Sequence, residues 1–144
     1  MSSKRPESVL VVLHTEAGEA LLLERADHPG WWQSVTGSLE ANESPAMAAI
    51  REVEEETGYP VQPQQLHDWH EHHTWEIYAC FRHRYPPGTT MNTEHVFSVL
   101  LPGRIPVRLA PAEHLRYSWQ PLAIAAGQCF SPTNQAAIRR LAEK

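Results

Sequence analysis

Cysteine is nearly absent from this chain. Only Cys80 and Cys129 occur, neither in a C-x-x-C pair nor beside a matched histidine, which argues against a disulfide scaffold and a zinc ribbon. Both read as buried thiols. No apolar run reaches the roughly 18 residues that a membrane-spanning helix needs. The opening stretch MSSKRPESVLVV lacks the apolar core and cleavage site of a secretory signal, so a cytoplasmic protein is expected. Basic excess is missing too. Twelve Lys and Arg against 17 Asp and Glu give a formal charge of −5, the wrong balance for a protein that grips nucleic-acid phosphates. Repeats, low-complexity tracts and linkers are also lacking. The 144 residues are therefore expected to form one domain, 1–144, long enough to bury a core without staples.

What is present is concentrated acid. Within GSLEANESPAMAAIREVEEETGY, residues 37–59, Glu43, Glu52, Glu55 and Glu56 account for four units of the net charge. Ser44 and Pro45 open a helix as N-cap and first residue, and Gly58 with Pro60 closes it. Like charges at helical spacing repel by about 0.2–0.5 kcal/mol per pair, so the run needs a reason. At 100° per residue, Glu52, Glu55 and Glu56 fall within about one third of the circumference. Ala46, Ala49, Ile50, Val53 and Thr57 form the adjoining apolar stripe, and Glu54 projects into solvent. Arg51 reaches Glu55 at i+4 but cannot neutralise three acids. Such an edge is either a solvated acidic face or a site for a hard cation such as Mg²⁺ or Mn²⁺, which takes oxygen ligands.

Around the helix, SVLVVLHT (8–15) and ALLLER (20–25) read as a hairpin, and ADHPGWWQSVTGS as a loop leading to a short strand. QLHDWHEHH, TWEIYACFRHRY and EHVFSVLL are predicted as three strands, LRYSWQPL as a fourth short one, and TNQAAIRRLAE as an amphipathic closing helix. That order predicts an α/β (α+β) fold, a mixed sheet sandwiched between helices.

The wider spacing decides between the two readings of the acidic edge. Gly37, five residues, Glu43, seven residues, Arg51-Glu52-Val53, one residue, Glu55-Glu56, one residue and Gly58 resembles the signature box of the Nudix hydrolases at each fixed polar or glycine position. Tyr59 replaces the family's usual aliphatic residue, at a packing position. The resemblance implies a loop-helix-loop whose Glu52, Glu55 and Glu56 hold Mg²⁺, with Mn²⁺ as a substitute. Glu43 and Arg51 would orient them, and Gly37 would make the close turn beside the ion. It also implies water attack on a phosphorus of a nucleoside diphosphate linked to another group. The chemistry agrees, because a polyphosphate repels its nucleophile until metal charge offsets it.

RPESVLVV, WWQSVTGSLE, FRHRYPPGTTMNTEHVF and AEHLRYSWQP resemble the branch of that family that acts on a pterin triphosphate. By that resemblance Lys4 and Arg25 contact phosphates, unless they are ordinary surface cations. Thr36 borders the site. Trp75, Glu76, Ile77 and Tyr78 lie along the pterin or sugar, although Trp75 and Tyr78 alternate as core-packed strand residues also do. Glu113 is a further metal ligand or the base, or else a solvated loop acid. Ser131, Thr133 and Asn134 are substrate-binding candidates near the C-terminal end. The box itself does not see the base, so nucleoside triphosphates such as dATP and dinucleoside polyphosphates compete as substrates. A non-catalytic ligand sensor would be expected to have lost box carboxylates, and none is lost here. HEHH (70–73) is a poor zinc site, because period-2 geometry sends His70 and His72 to one face and His73 to the other. His83 and His95 are placed nearer the substrate, with no role fixed for either. The five tryptophans read as core and pocket walls, since no basic stripe accompanies them. Nothing here sets an oligomeric state.

Overall fold

Alternation along β1 (Glu7–Thr15) sets the layers of the molecule. Val9, Val11 and Leu13 face one side of the sheet, Leu10 and Val12 the other, and all five are essentially unexposed. A β-branched and aliphatic strand buried on both faces belongs at the centre of a sheet. In the computed structural model, which describes residues 4–144, β6 (Met91–Leu101) runs parallel to β1 along its length. β5 (Leu66–Glu76) lies antiparallel beyond β6. The other edge of β1 is shared: β4 (Val35–Ser38) pairs with its first half, and β2 (Glu19–Arg25) meets it at His14 and Ala20. β2 carries β3 (Trp32–Gln33) and β7 (His114–Pro121), which completes a mixed seven-stranded sheet among the described residues.

Helix α1 (Pro45–Thr57) packs through Ala48, Ala49 and Val53 on the side of Val9 and Val11. Helices α2 (Leu122–Gln128) and α3 (Pro132–Ala142) cover the opposite side, where Ala125, Ala126 and Ile138 meet Leu10 and Val12. The predicted sandwich of a mixed sheet between helices is the architecture that forms.

Three local expectations need correction. Residues 66–73 and the start of TWEIYACFRHRY form one strand, β5, which ends at Glu76; Gln65 closes a 3-10 turn before it, and Ala79–Arg84 is a 3-10 helix. Arg82 Nε donates to Ile77 O at 3.0 Å and turns the chain, so that Tyr78 and Phe81 pack edge-on against Trp31. Ring packing outweighs strand propensity there. Strict alternation also fails in HEHH. The β5–β6 register shifts between Asp68 and His72, His70 has φ 54°, and its N–H donates to Asp68 Oδ1 at 2.8 Å. Lastly, Cys129 is buried as expected but Cys80 is exposed. Helix α2 was not foreseen, since its seven residues are too short for a clear helical period.

Candidate active site

The ends of α1 form as the sequence requires. Ser44 Oγ accepts the Met47 N–H at 3.2 Å, Pro45 follows, and Gly58 at φ 82° donates its N–H to Glu54 O at 2.8 Å. The carboxylates lie deeper than an edge position implies: Glu52 and Glu56 are 7 % and 1 % exposed, on the buried side with Val53 and Thr57. Glu54 and Glu55 face solvent. β4 lies close to this buried side, and a Cβ at residue 37 would overlap the Glu52 carboxyl, so any other residue there must push that side chain aside.

Arg51 is the hub of the acid cluster. Its Nε and Nη2 donate to Glu43 at 2.7 and 2.8 Å, Nη2 to Ser38 O at 3.0 Å, and Nη1 to Glu52 at 2.6 Å and Glu55 at 3.2 Å. One guanidinium thus ties the loop before α1 to three box carboxylates. Hydrogen bonding to Arg51 holds the Glu43 carboxyl below the usual range, and the same bonds raise the Arg51 pKa. Glu56 lies out of its reach. Burial pushes the Glu56 carboxyl well above the ordinary carboxylate value, and the adjacent Glu52 adds to the shift; burial raises Glu52 as well. Glu56 Oε1 has no hydrogen-bond partner, and its nearest cationic candidate, His114 Nε2, is 3.6 Å away. Burial and then Arg25 lower the His114 pKa to about 4, so at neutral pH this imidazole supplies no countercharge.

Two desolvated carboxyls side by side, one with an orphaned oxygen, fit a hard divalent cation, which would satisfy the oxygen and offset the repulsion. Glu55 is held on Arg51, and Glu113 sits on an exposed loop that enters β7, with its N–H on Ala110 O at 2.9 Å. Among the described residues no three His, Cys, Asp or Glu side chains already converge as a closed cage.

A cleft of about 810 Å³ runs from this cluster across the sheet. Glu52, Glu55, Gly37, Arg51 and Glu113 line one end, Lys4, Arg25 and Thr36 the middle, and Trp75, Tyr78, Ser131 and Asn134 the far end. Desolvation, then Arg84, lowers the Lys4 pKa. Arg25 grips Asp27 through two bonds of 2.7 Å, donates to Gln33 at 2.9 Å and lies 4.4 Å from the Phe81 ring centroid. Those bonds, with Arg84 adding to them, lower the Asp27 pKa to about 2. Thr36 donates its hydroxyl to Val9 O at 2.9 Å.

Glu43, Glu56, Glu76, Ile77 and Thr133 do not line the cleft. Glu43 and Glu56 stand behind it. Ile77 is buried, and Glu76 is exposed and paired with Arg82 at 3.0 Å. Ser131 caps α3, and Thr133 donates to Glu94 at 2.7 Å. Asn134 bonds Ser34 twice, at 2.8 and 3.0 Å. Sequence reasoning missed Asn92 and Glu94 of β6, Phe81, Phe130, Arg84 and His114, all of which line the cleft. A signal existed for the first two: polar residues at alternate positions lead into an apolar strand.

The fold and this loop-helix-loop define the class. A NUDIX domain model matches residues 4–141, and the chain belongs to the Nudix hydrolase family. The chain is 41 % identical over 140 residues, 95 % of its length and 92 % of the other, to the dihydroneopterin triphosphate diphosphatase of Escherichia coli. It is 37 % identical over 144 residues, 97 % of its length and 89 % of the other, to the enzyme of that name from Haemophilus influenzae. The solved structure of the E. coli dihydroneopterin triphosphate pyrophosphohydrolase superposes with a TM-score of 0.93 at 40 % identity, covering 99 % of each chain. Nudix hydrolases generally use divalent metal ions, and the substrate here is a pterin triphosphate or nucleotide-like small molecule. No helix among the described residues is long and apolar enough to cross a membrane.

Proposed function

We propose that this chain hydrolyses dihydroneopterin triphosphate, adding one water to yield dihydroneopterin monophosphate and pyrophosphate, in the cytoplasm and with Mg²⁺. The observation that carries this reading is a single cleft joining the box carboxylates to an aromatic end large enough for a bicyclic ring. The relatives of 37–41 % identity that bear this activity in their names, matched over most of the chain, support it.

Glu52, Glu55, Glu56 and Glu113 would hold the metal beside Gly37, with Mn²⁺ as a substitute for Mg²⁺. Bound there, the ion offsets phosphate charge and lowers the pKa of water. The protein does the rest. Arg51 and Glu43 hold the glutamates in register, so that their repulsion is met before substrate arrives. Lys4 and Arg25 draw the phosphate chain along the middle of the cleft, with Thr36 at its border. One carboxylate of the set takes the proton of the attacking water. Trp75 and Tyr78 wall the ring, Ile77 and Glu76 set the strand end behind them, and Ser131, Thr133 and Asn134 support the far wall.

The test is pyrophosphate release with Mg²⁺ across a panel of pterin and nucleoside triphosphates and dinucleoside polyphosphates. Preferred release from the pterin substrate is expected. Preference for dATP would replace this reading with a nucleotide-clearing hydrolase, and no release from any member would point to a ligand-sensing domain.

A further inference from the structure

Asn92 and Glu94 are two residues apart on β6 and share the face turned to the cleft and α3. They are 1 % and 4 % exposed, and neither is an ordinary core residue. Asn92 donates Nδ2–H to Ser8 Oγ at 2.8 Å, but its carbonyl Oδ1 is buried without a partner. Glu94 accepts the Thr133 hydroxyl on Oε1 at 2.7 Å, and no cation among the described residues offsets its burial, which raises its pKa. Across the ladder from Asn92, the Trp75 indole N–H is also buried without a partner. Buried polar groups are seldom left without a partner, and here two of them line one cleft beside a buried carboxyl that has no countercharge among the described residues. Tyr78 stands edge-on to Trp75 at 6.2 Å and to Phe130 at 5.7 Å, so aromatic faces frame the polar groups. The chamber suits a flat heteroaromatic ring whose edge offers hydrogen-bond donors.

We infer that Glu94 and Asn92 select the pyrimidine half of the pterin, accepting hydrogen bonds from its ring N3–H and exocyclic 2-amino group. The inference rests on the pterin reading above. A carboxylate receives adjacent N–H donors in parallel, as it receives a guanidinium, and each of its oxygens has room for two donors. Guanine presents the same donor pair. Adenine places an amino group beside a ring nitrogen with a lone pair, which would face the carboxylate and repel it. The rings of Tyr78 and Phe130 provide stacking surface for any base, so discrimination falls to the two β6 residues.

Neopterin, which lacks phosphates, and its 2-oxo (lumazine) counterpart are titrated into the full chain without metal, following tryptophan and pterin fluorescence. Neopterin is expected to bind, and the 2-oxo compound to bind at least about tenfold more weakly, because a carbonyl replaces a donor to a charged acceptor. This comparison needs no variant. Glu94→Gln keeps the side-chain volume and the Thr133 contact; it should weaken neopterin by at least about tenfold and raise KM for the pterin triphosphate more than it lowers kcat. Its melting temperature reports whether it is folded. Equal affinity for the two compounds, no binding of neopterin, or a folded Gln variant that binds as tightly as the wild type would each overturn the inference. Wild-type pyrophosphate release separates the two claims. Release from the pterin triphosphate with no Glu94 effect discards only the inference, whereas cleavage of dATP in place of the pterin substrate discards the reading and the inference together.

Discussion

The two ends of the cleft are built on opposite plans. At the α1 end, Gly37, Glu43, Arg51, Glu52, Glu55 and Glu56 come from 20 consecutive residues, and one guanidinium organises most of them. At the aromatic end, Ser8, Trp75, Asn92, Glu94 and Phe130 arrive from separate strands and a loop. The first end is charged and internally strained, with Glu52 and Glu56 desolvated side by side. The second is ring-lined: its buried acid Glu94 has no cation beside it among the described residues, while Arg25 and Arg84 lie over the Phe81 ring. Chemistry that needs charge in a fixed array suits a single rigid helix. Recognition of a ring's shape and donor pattern suits walls contributed by many elements, each adjustable without disturbing the array.

Changes at the helical end should act on rate. Glu56→Gln removes a buried ligand of the proposed metal, and kcat should fall by about 10³–10⁴-fold. Thermal stability without metal should stay level or rise, since a buried repulsion is relieved. Near-normal turnover at saturating Mg²⁺ would remove Glu56 from the site. Glu113→Gln should lower kcat by about 10²–10³-fold with a far smaller change in KM, because its contribution grows as the water loses its proton. Steady-state kinetics with circular dichroism as a folding check measures this, and a loss under about threefold would make Glu113 a solvated loop acid. Gly37→Ala displaces the Glu52 carboxyl and should reduce kcat by about 10²-fold while the protein still folds. An unchanged rate would show that Glu52 need not sit where it does.

Changes at the aromatic end should act on stability and fit. Asn134→Ala leaves the buried Ser34 N–H without its acceptor and should lower stability by about 1–3 kcal/mol. Each kcal/mol moves Tm by about 2–4 °C in a domain of this size, so calorimetry resolves the loss. A Tm within a degree of wild type would contradict the strut. Asp27→Asn should have the smallest effect. Asp27 has a pKa of about 2, below its ordinary 3.8, because Arg25 and Arg84 bind the charged form. Its stabilisation is therefore complete above the ordinary value and is lost as pH falls from about 4 to about 2. With the side chain 27 % exposed, screening holds it under about 1 kcal/mol. The wild-type and variant melting curves should differ at neutral pH and coincide below pH 2; a gap that persists in acid would assign the difference to something other than this ion pair.

Much of the helical end was legible in residue order. Caps at Ser44, Pro45 and Gly58, and the spacing of Arg51, Glu52, Glu55 and Glu56, are local facts that backbone geometry turns directly into structure. Burial depth was not legible, because it depends on β4 packing against α1 until the space beside Gly37 is filled by Glu52. The 3-10 turn at Ala79–Arg84 was misread for a related reason: the strand propensity of TWEIYACFRHRY is local, but Trp31, which draws Tyr78 and Phe81 inward, lies far away in the chain. Asn92 and Glu94 were passed over because a polar pair on a strand carries no meaning until a cleft is known to face it.

The order of residues by itself determined a Nudix box, the helix that bears it and the two apolar runs that become β1 and β2, since each follows from short-range periodicity and spacing. Only tertiary structure decided that Glu56 Oε1 is buried without a hydrogen-bond partner, that Arg51 holds Glu55, and that residues 8, 75, 94 and 130 share one chamber. These are matters of which surfaces exclude water together, and that is settled when distant segments pack, not when neighbouring residues choose their dihedral angles.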